Sequence, residues 1–169
     1  FMQNGGGLLI AINRVNFDFS TASGKEITTG LEAWLDAKGI LIDNQFVIDE
    51  NCGQISVQDQ NSGGLFGMLF QRRISFPYFP IIKNFNEDSI ISKGIEEIIM
   101  PGASAITYNG NAAYKVLATT SDRSGYEEVP PTIDINRQWT AADFTTRRLA
   151  VAASLEGAIN GSGNSKMVV

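Results

Sequence analysis

Histidine is absent from this chain of 169 residues, and there is only one cysteine. Histidine is the usual general base near neutral pH and the usual orienting partner of a serine or cysteine nucleophile. Its absence excludes a Ser-His-Asp triad, a Cys-His pair and a His-built zinc site within the chain. Cys52 has no second thiol to pair with, so no internal disulfide forms, and the cysteine count fits either side of a bacterial membrane. Long apolar runs are missing as well. Leu8 to Ile12 and Leu149 to Ala153 are the longest, far short of the roughly 20 residues that a bilayer-spanning helix needs. Clustered positive charge is also missing. Arg72-Arg73 and Arg147-Arg148 are the only adjacent basic pairs, and 13 basic against 18 acidic residues leave a net charge of −5. A phosphate-tracking groove needs clustered basic residues, so nucleic acid is not an expected partner. Together these absences lean toward binding or assembly rather than catalysis.

What is present is a globular composition, 43% apolar and 18% charged, which sets the chain apart from disordered sequences. A chain of this length buries about 70% of its unfolded surface and needs neither disulfide nor metal to hold a core. One domain covering residues 1–169 is expected. The chain opens at Phe1 on what reads as the end of a helix. It stops at Met167-Val168-Val169 in what reads as a strand. It therefore reads as a piece of a longer protein, with any signal, anchor or transmembrane helix outside it.

Gly5-Gly6-Gly7 before Leu8 to Ile12 reads as a turn feeding a strand covered on both faces, as in α/β sheets. Arg14 to Thr21 reads as a loop. Ser23 to Lys38 carries the clearest helix pattern. Ser23 and Glu26 have the spacing of a capping box, Ile27, Leu31, Trp34 and Leu35 share one helical face, and Gly39 supplies a left-handed stop. Ile40 to Ile42, Phe46 to Ile48 and Cys52 to Val57 read as short strands. Gln58 to Gly67 reads as a surface loop, and the apolar run Leu65 to Phe70 beside it as core. Pro77 and Pro80 argue for an edge strand or a rigid extended segment over Arg73 to Ile82, a pattern compatible with a cis bond before either proline. Ser89 to Glu97 reads as irregular or helical and Glu127 to Gln138 as a surface excursion. Strands are expected at 103–107, 113–120, 146–155 and 166–169, the last after a flexible Asn160 to Ser165.

Few groups point to chemistry. Gly5-Gly6-Gly7 precedes its strand, whereas a phosphate cradle needs strand, glycines and then a helix N-terminus. Asp49 and Glu50 crowd Cys52 with carboxylates, the opposite of what activates a thiol. The acids Glu87, Asp88, Glu96 and Glu97 read as surface charge. In open α/β sheets, ligands bind at the carboxyl ends of the strands. That argument from position makes Asn13, Arg14, Asp18 and Asp49 the candidate ligand-binding residues. A hydrolase using Asp18 and Asp49 stays open as an alternative. No catalytic residue, metal ligand or cofactor is assigned.

Several segments, taken in order, form a resemblance. They are Gly30-Leu31-Glu32-Ala33-Trp34-Leu35, Gly39-Ile40, Phe46-Val47-Ile48-Asp49, Asn51-Cys52, Phe76-Pro77-Tyr78-Phe79-Pro80, Lys115 to Ser121, Leu149 to Gly157 and Lys166 to Val169. This succession resembles the auxiliary, extracytoplasmic component of an ABC-type transport system, with the gliding-motility-associated GldG-like proteins of the Bacteroidetes as nearest relatives. The resemblance implies an α/β domain with a mixed, largely parallel sheet flanked by helices, flavodoxin-like or class I glutamine amidotransferase-like, carrying long irregular insertions. It implies one part of a membrane-anchored protein at the periplasmic face of the inner membrane, working with an ABC permease and an ATPase and running no reaction of its own. The amidotransferase nucleophile elbow and its histidine are absent, and so is the glycine-aspartate turn after Val169. The alternative function is a degenerate amidotransferase-like domain that binds a small molecule or carbohydrate.

Overall fold

The computed structural model describes residues 1–58, 71–130, 132–159 and 164–169. The apolar run Leu65 to Phe70, almost all of the loop expected from Gln58, and most of the connection at Asn160 to Ser165 lie outside the described residues.

Among the described residues the chain is built from strands. A short 3-10 turn at Met2–Asn4 leads into β1 (Gly7–Leu9), β2 (Val15–Asp18) and β3 (Ser23–Glu26). Helix α1 (Glu32–Asp36) follows, then β4 (Ile40–Ile42), β5 (Phe46–Asp49), β6 (Cys52–Gln58), β7 (Gln71–Ile82), β8 (Asn84–Phe85) and β9 (Ile98–Ile99). The rest comprises β10 (Ile106–Tyr108), β11 (Ala113–Thr119), β12 (Ser124–Glu127), a 3-10 turn at Ala141–Asp143, β13 (Ala150–Gly157) and β14 (Ser165–Val168). One sheet has five strands in the order β1-β14-β13-β11-β8. A second has the order β6-β7-β9, and β4–β10, β5–β12 and β2–β3 form two-stranded pairs. Only β1 and β14 run parallel; the other pairings are antiparallel.

The expected largely parallel sheet flanked by helices, and with it the flavodoxin-like and amidotransferase-like architecture, is therefore overturned. Parallel neighbours need long crossovers, usually helical, and α1 is only five residues long. The departure from the helical pattern begins at Ser23. Ser23 to Glu26 pairs with Val15 to Asp18 as a hairpin, because tertiary packing outweighs the local helical pattern. Val15 is fully buried, and the Phe17 ring stacks on Phe46 with centroids 4.5 Å apart. Gly24 lies so close to Pro130 that a Cβ there would meet the proline ring at 2.8 Å. Gly30, at φ +83°, then breaks the helical run. The N-cap of α1 is Leu31, and Thr29 braces the entry, its backbone N–H and hydroxyl both donating to Glu32 Oε1. Of the expected apolar stripe only Leu35 is buried, worth about 1.5–3 kcal/mol. Trp34 is 36% exposed, with Lys38 over its ring. Gly39 does hold a left-handed conformation, at φ +79°.

The strand covered on both faces is β5, not Leu8 to Ile12. Phe46, Val47, Ile48 and Asp49 are all buried. Side chains alternate along a strand, so Phe46 and Ile48 enter one cluster with Val15, Phe76, Tyr78 and Ile133. Val47 enters another with Ile82, Ala103, Ala105, Ala118 and Val151. A third cluster gathers Ile10, Leu35, Ile40, Ile106, Leu155, Ile159 and Met167. In β1, by contrast, Leu9 is 74% exposed.

The proline segment is corrected too. β7 lies between β6 and β9, not at an edge. The prolines are tolerated because the ladder is interrupted beside them. Cys52 pairs with Pro80 and Gln54 with Ser75, so the stretch holding Pro77 bulges out of register. No peptide bond among the described residues is cis. No helix among them is long and apolar enough to cross a membrane.

Candidate functional site

The parallel strands β1 and β14 run out together. Their last shared bond is Ile10 N–H to Val168 O, at 2.8 Å. Val169 then exchanges backbone hydrogen bonds with Ala153 at 2.8 and 2.9 Å. Beyond these carboxyl ends, residues 11–14 cross to the β2–β3 hairpin. They leave a groove of about 540 Å³ between the five-stranded sheet and the segment 100–106. Leu9 to Asn13 form one wall, Met100, Pro101, Ala103, Ser104 and Ile106 another, and Val151, Ala152, Val168 and Val169 the sheet side. Ile42 completes the lining. None of these side chains is charged and none is aromatic.

The segment 100–106 is fixed from both ends. Gly102 takes φ +64°, which a side chain rarely adopts, and a Cβ there would come within 3.3 Å of the Val15 carbonyl. The Gly102 N–H donates to Tyr78 O, and Asn13 Nδ2 donates to Pro101 O, both at 3.1 Å. The carbonyls of Ala103 and Ala105 accept from Val47 N–H and Asp43 N–H at 2.9 and 3.0 Å. Ser104 stands between them on the groove wall, 9% exposed. Its Oγ is the one buried side-chain polar atom among the described residues with no hydrogen-bond partner. Leaving a buried hydroxyl unpaired costs about 1–3 kcal/mol, and this one is closed off from solvent as well.

The four residues selected by position are not brought to one place. Asn13 lines the groove. Arg14 lines a separate cavity of about 240 Å³ under α1. Its Nε and Nη1 donate to Ile27 O and Ile42 O, both at 3.1 Å, and Nε pairs with Glu32 Oε1 at 3.3 Å. Hydrogen bonds from the Thr29 N–H, from Glu32's own N–H, from the Thr29 hydroxyl and from Gly30 N–H hold the Glu32 carboxyl down at about 2. Arg14 and Glu32 thus satisfy one another while fixing the start of α1. Asp18 sits at the tip of the β2–β3 hairpin. Its Oδ1 accepts from the Ser20 hydroxyl and from the Ser20 and Thr21 N–H groups, which lower its pKa. Asp49 is fully buried at the end of β5. It accepts from Asn51 N–H and from both the N–H and the hydroxyl of Ser121, each at 2.7 Å. Burial nevertheless pushes its pKa up. Asp18 and Asp49 each accept hydrogen bonds within a different turn.

Cys52 is half-buried, and burial raises its thiol pKa, the condition of an unreactive cysteine. No group of three or more acidic or cysteine side chains among the described residues is placed to hold a metal. Ser104 escapes a reading of the sequence because Ala103-Ser104-Ala105 signals only a strand-like segment with small side chains. Nothing in those letters marks the hydroxyl as unpaired.

Comparison with curated proteins and with solved structures finds no match. The family described as an ABC-type uncharacterized transport system, a family of auxiliary components, matches residues 1–169, and the chain belongs to it.

Proposed function

We propose that this auxiliary component of an ABC-type transport system is a non-catalytic binding domain. It holds a ligand or partner in the groove beyond β1 and β14, on the extracytoplasmic side of the membrane, and supports assembly with an ABC permease and its ATPase. The observation that carries the binding role is the groove itself, an uncharged hollow with one buried hydroxyl left unpaired at Ser104. Pockets of about 300–1,000 Å³ that are mostly apolar with a few placed polar groups are the usual form of a binding site. The chain also contains no histidine to serve as a general base. The order of soft segments running from Gly30 to Val169 supports a finer placing among the gliding-motility-associated GldG-like proteins.

The carbohydrate alternative fares less well. A buried sugar needs a partner for each hydroxyl, and the groove's side chains offer only Asn13 and Ser104.

The test is recovery of permease and ATPase from native membranes, with the full-length protein as bait and a version lacking residues 1–169 as control. Loss of both subunits with the deletion supports assembly through this domain; equal recovery overturns it. Placement is read by a membrane-impermeant amine reagent on spheroplasts, with exposed Lys25 as a target. Labelling only after permeabilisation overturns the extracytoplasmic side.

A further inference from the structure

We infer that the open edge of β9 is a docking surface for an extended segment of a partner protein, one in which a short apolar stretch is flanked by lysine or arginine. The segment adds to the sheet β6-β7-β9 as a fourth strand beside Ile98 and Ile99. None of Ile95 to Ile99 lines the groove, so this surface stands apart from it.

The backbone decides that the occupant is a polypeptide. Ile81 and Ile82 of β7 pair with Ile99 and Ile98. Met100 N–H goes to Pro80 O at 3.0 Å, and Ile81 N–H goes the other way, to Asn51 O at 2.8 Å. Bonded and non-bonded pairs alternate along an antiparallel ladder. Pro80 with Met100 and Ile82 with Ile98 are therefore the bonded pairs, and the N–H and C=O of Ile99 point away from β7. No strand among the described residues lies on that side. Backbone groups at strand spacing are matched by another backbone, which is how peptides add to exposed sheet edges. A lipid surface offers no such row of partners.

The side chains decide that the segment is apolar at its centre. Neighbours on a strand point to opposite faces, so a strand with one covered face buries every second residue. Ile98 and Ile99 are instead 42% and 51% exposed. Ile90, Ile91 and Ile95 before them are exposed as well. Such a succession exceeds the isolated apolar residues that any surface carries.

Charge decides the flanks. Glu96 and Glu97 immediately precede β9, and Glu87 and Asp88 open the turn that leads to it. Lys83 and Lys93 are the only cations between residues 81 and 100, and Lys83 is paired with Glu97 at 3.1 Å. A second copy of this chain would bring the same carboxylates and a further net charge of −5 to the edge, and like charges across a strand pair are destabilising. Lysine or arginine beside the apolar stretch meets Glu96 instead. The acids thus turn away like-charged edges and admit a basic one.

The test is proton–nitrogen NMR on the full chain, titrated with capped Lys-Val-Ile-Val-Lys, Glu-Val-Ile-Val-Glu and Lys-Ser-Gly-Ser-Lys peptides. The first is expected to shift Ile95 to Met100 in a saturable way, with the other two about tenfold weaker. Glu96→Lys is expected to narrow the gap between the basic and acidic apolar peptides. Alternate N–H groups of an added strand face its neighbour. N-methylation of the basic peptide at its isoleucine, or in a separate peptide at both valines, is therefore expected to abolish binding in one case and spare it in the other. Ile99→Pro removes the outward N–H and leaves the bonds to β7 intact, so it is expected to lose the peptide and keep the spectrum of β6 and β7. Were that variant to unfold, the methylated pair still decides. Equal binding of the acidic peptide, shifts confined to other residues, the same response to both methylations, no shift at all, or a dimer formed through β9 in sedimentation would each overturn the inference.

Discussion

Ser121 donates both its backbone N–H and its hydroxyl to the carboxylate of Asp49, each at 2.7 Å, across 72 positions of the chain. The contact ties the end of β5 to the turn between β11 and β12. Asp49 is fully buried, while its partners Asn51 and Ser121 are half-buried. Asp49→Ala leaves the N–H groups of Asn51 and Ser121 without their acceptor, at about 1–3 kcal/mol for each buried donor stranded. Ser121→Ala removes one donor and leaves the carboxylate two others, so its cost is about 1 kcal/mol. Urea denaturation of both variants checks the order. An Asp49→Ala variant as stable as Ser121→Ala would show that the carboxylate is not the centre of this junction.

Glu32 makes the start of α1 sensitive to acid. Its carboxyl lies at about 2 against an ordinary value of 4.5, chiefly through the Thr29 N–H. A depressed folded-state pKa means that the unfolded chain takes up the proton first. The stabilisation is therefore complete above 4.5 and is lost as pH falls toward 2. Asp18, Asp122 and Asp143 are lowered in the same direction, while burial raises Asp49 and works the opposite way. Comparison with Glu32→Gln cancels these shared contributions. The melting temperatures of wild type and variant are expected to differ at pH 6 and to converge toward pH 2. A gap that stays constant across that range would remove Glu32 from the acid response.

Arg137 joins the excursion after β12 to the aromatic cluster. Its guanidinium bonds Glu127 at 2.8 Å and Asp143 at 2.7 Å, and its centre lies 3.9 Å from the middle of the Trp139 ring. Trp139 in turn packs edge-on against Tyr78, whose hydroxyl is pushed up to about 12, first by burial. A fork that spans two carboxylates while stacking on a ring is an arrangement that lysine cannot copy. Arg137→Lys is expected to lose about 1–2 kcal/mol and to raise the fluorescence response of Trp139 to quenchers. Unchanged quenching and an unchanged urea midpoint would show the clamp to be dispensable.

The strands are legible where short apolar runs are bounded by turns. Ile40 to Ile42, Phe46 to Ile48, Cys52 to Val57 and Ala113 to Thr120 all fall on observed strands. What stays hidden is decided at long range. The helical spacing at Ser23 to Leu35 is real as a pattern, yet Phe17 and Val15 reach a core supplied by Phe46, Phe76 and Tyr78, and their burial draws Ser23 to Glu26 into a hairpin. A run such as Leu8 to Ile12 reads alike whether its strand is central or at an edge. Two prolines likewise argue against an interior strand until the bulge opposite Cys52 to Gln54 is known. The same limit governs the candidate site. Counting from the ends of the apolar runs leads to Asn13 on the groove, but also to Arg14, Asp18 and Asp49, whose hydrogen bonds hold the fold. Ser104 emerges only when its neighbours in space are counted.

Ser104 and Ser124 give opposite stability predictions from the same residue type. Ser124 is fully buried and well partnered. It accepts from Thr120 Oγ1 at 2.8 Å and donates toward Thr146 O at 3.3 Å. Ser124→Ala takes away the closer acceptor of the Thr120 hydroxyl, leaving it Ser121 O at 3.5 Å, and is expected to cost about 1–2 kcal/mol. Ser104 has no partner to strand. Ser104→Ala removes an unsatisfied hydroxyl from a mostly apolar wall, so the variant is expected to be as stable as the parent or more stable by about 1 kcal/mol. Urea midpoints for the two variants, measured side by side without ligand, check the contrast. Destabilisation of Ser104→Ala to the level of Ser124→Ala would instead make Ser104 a structural residue.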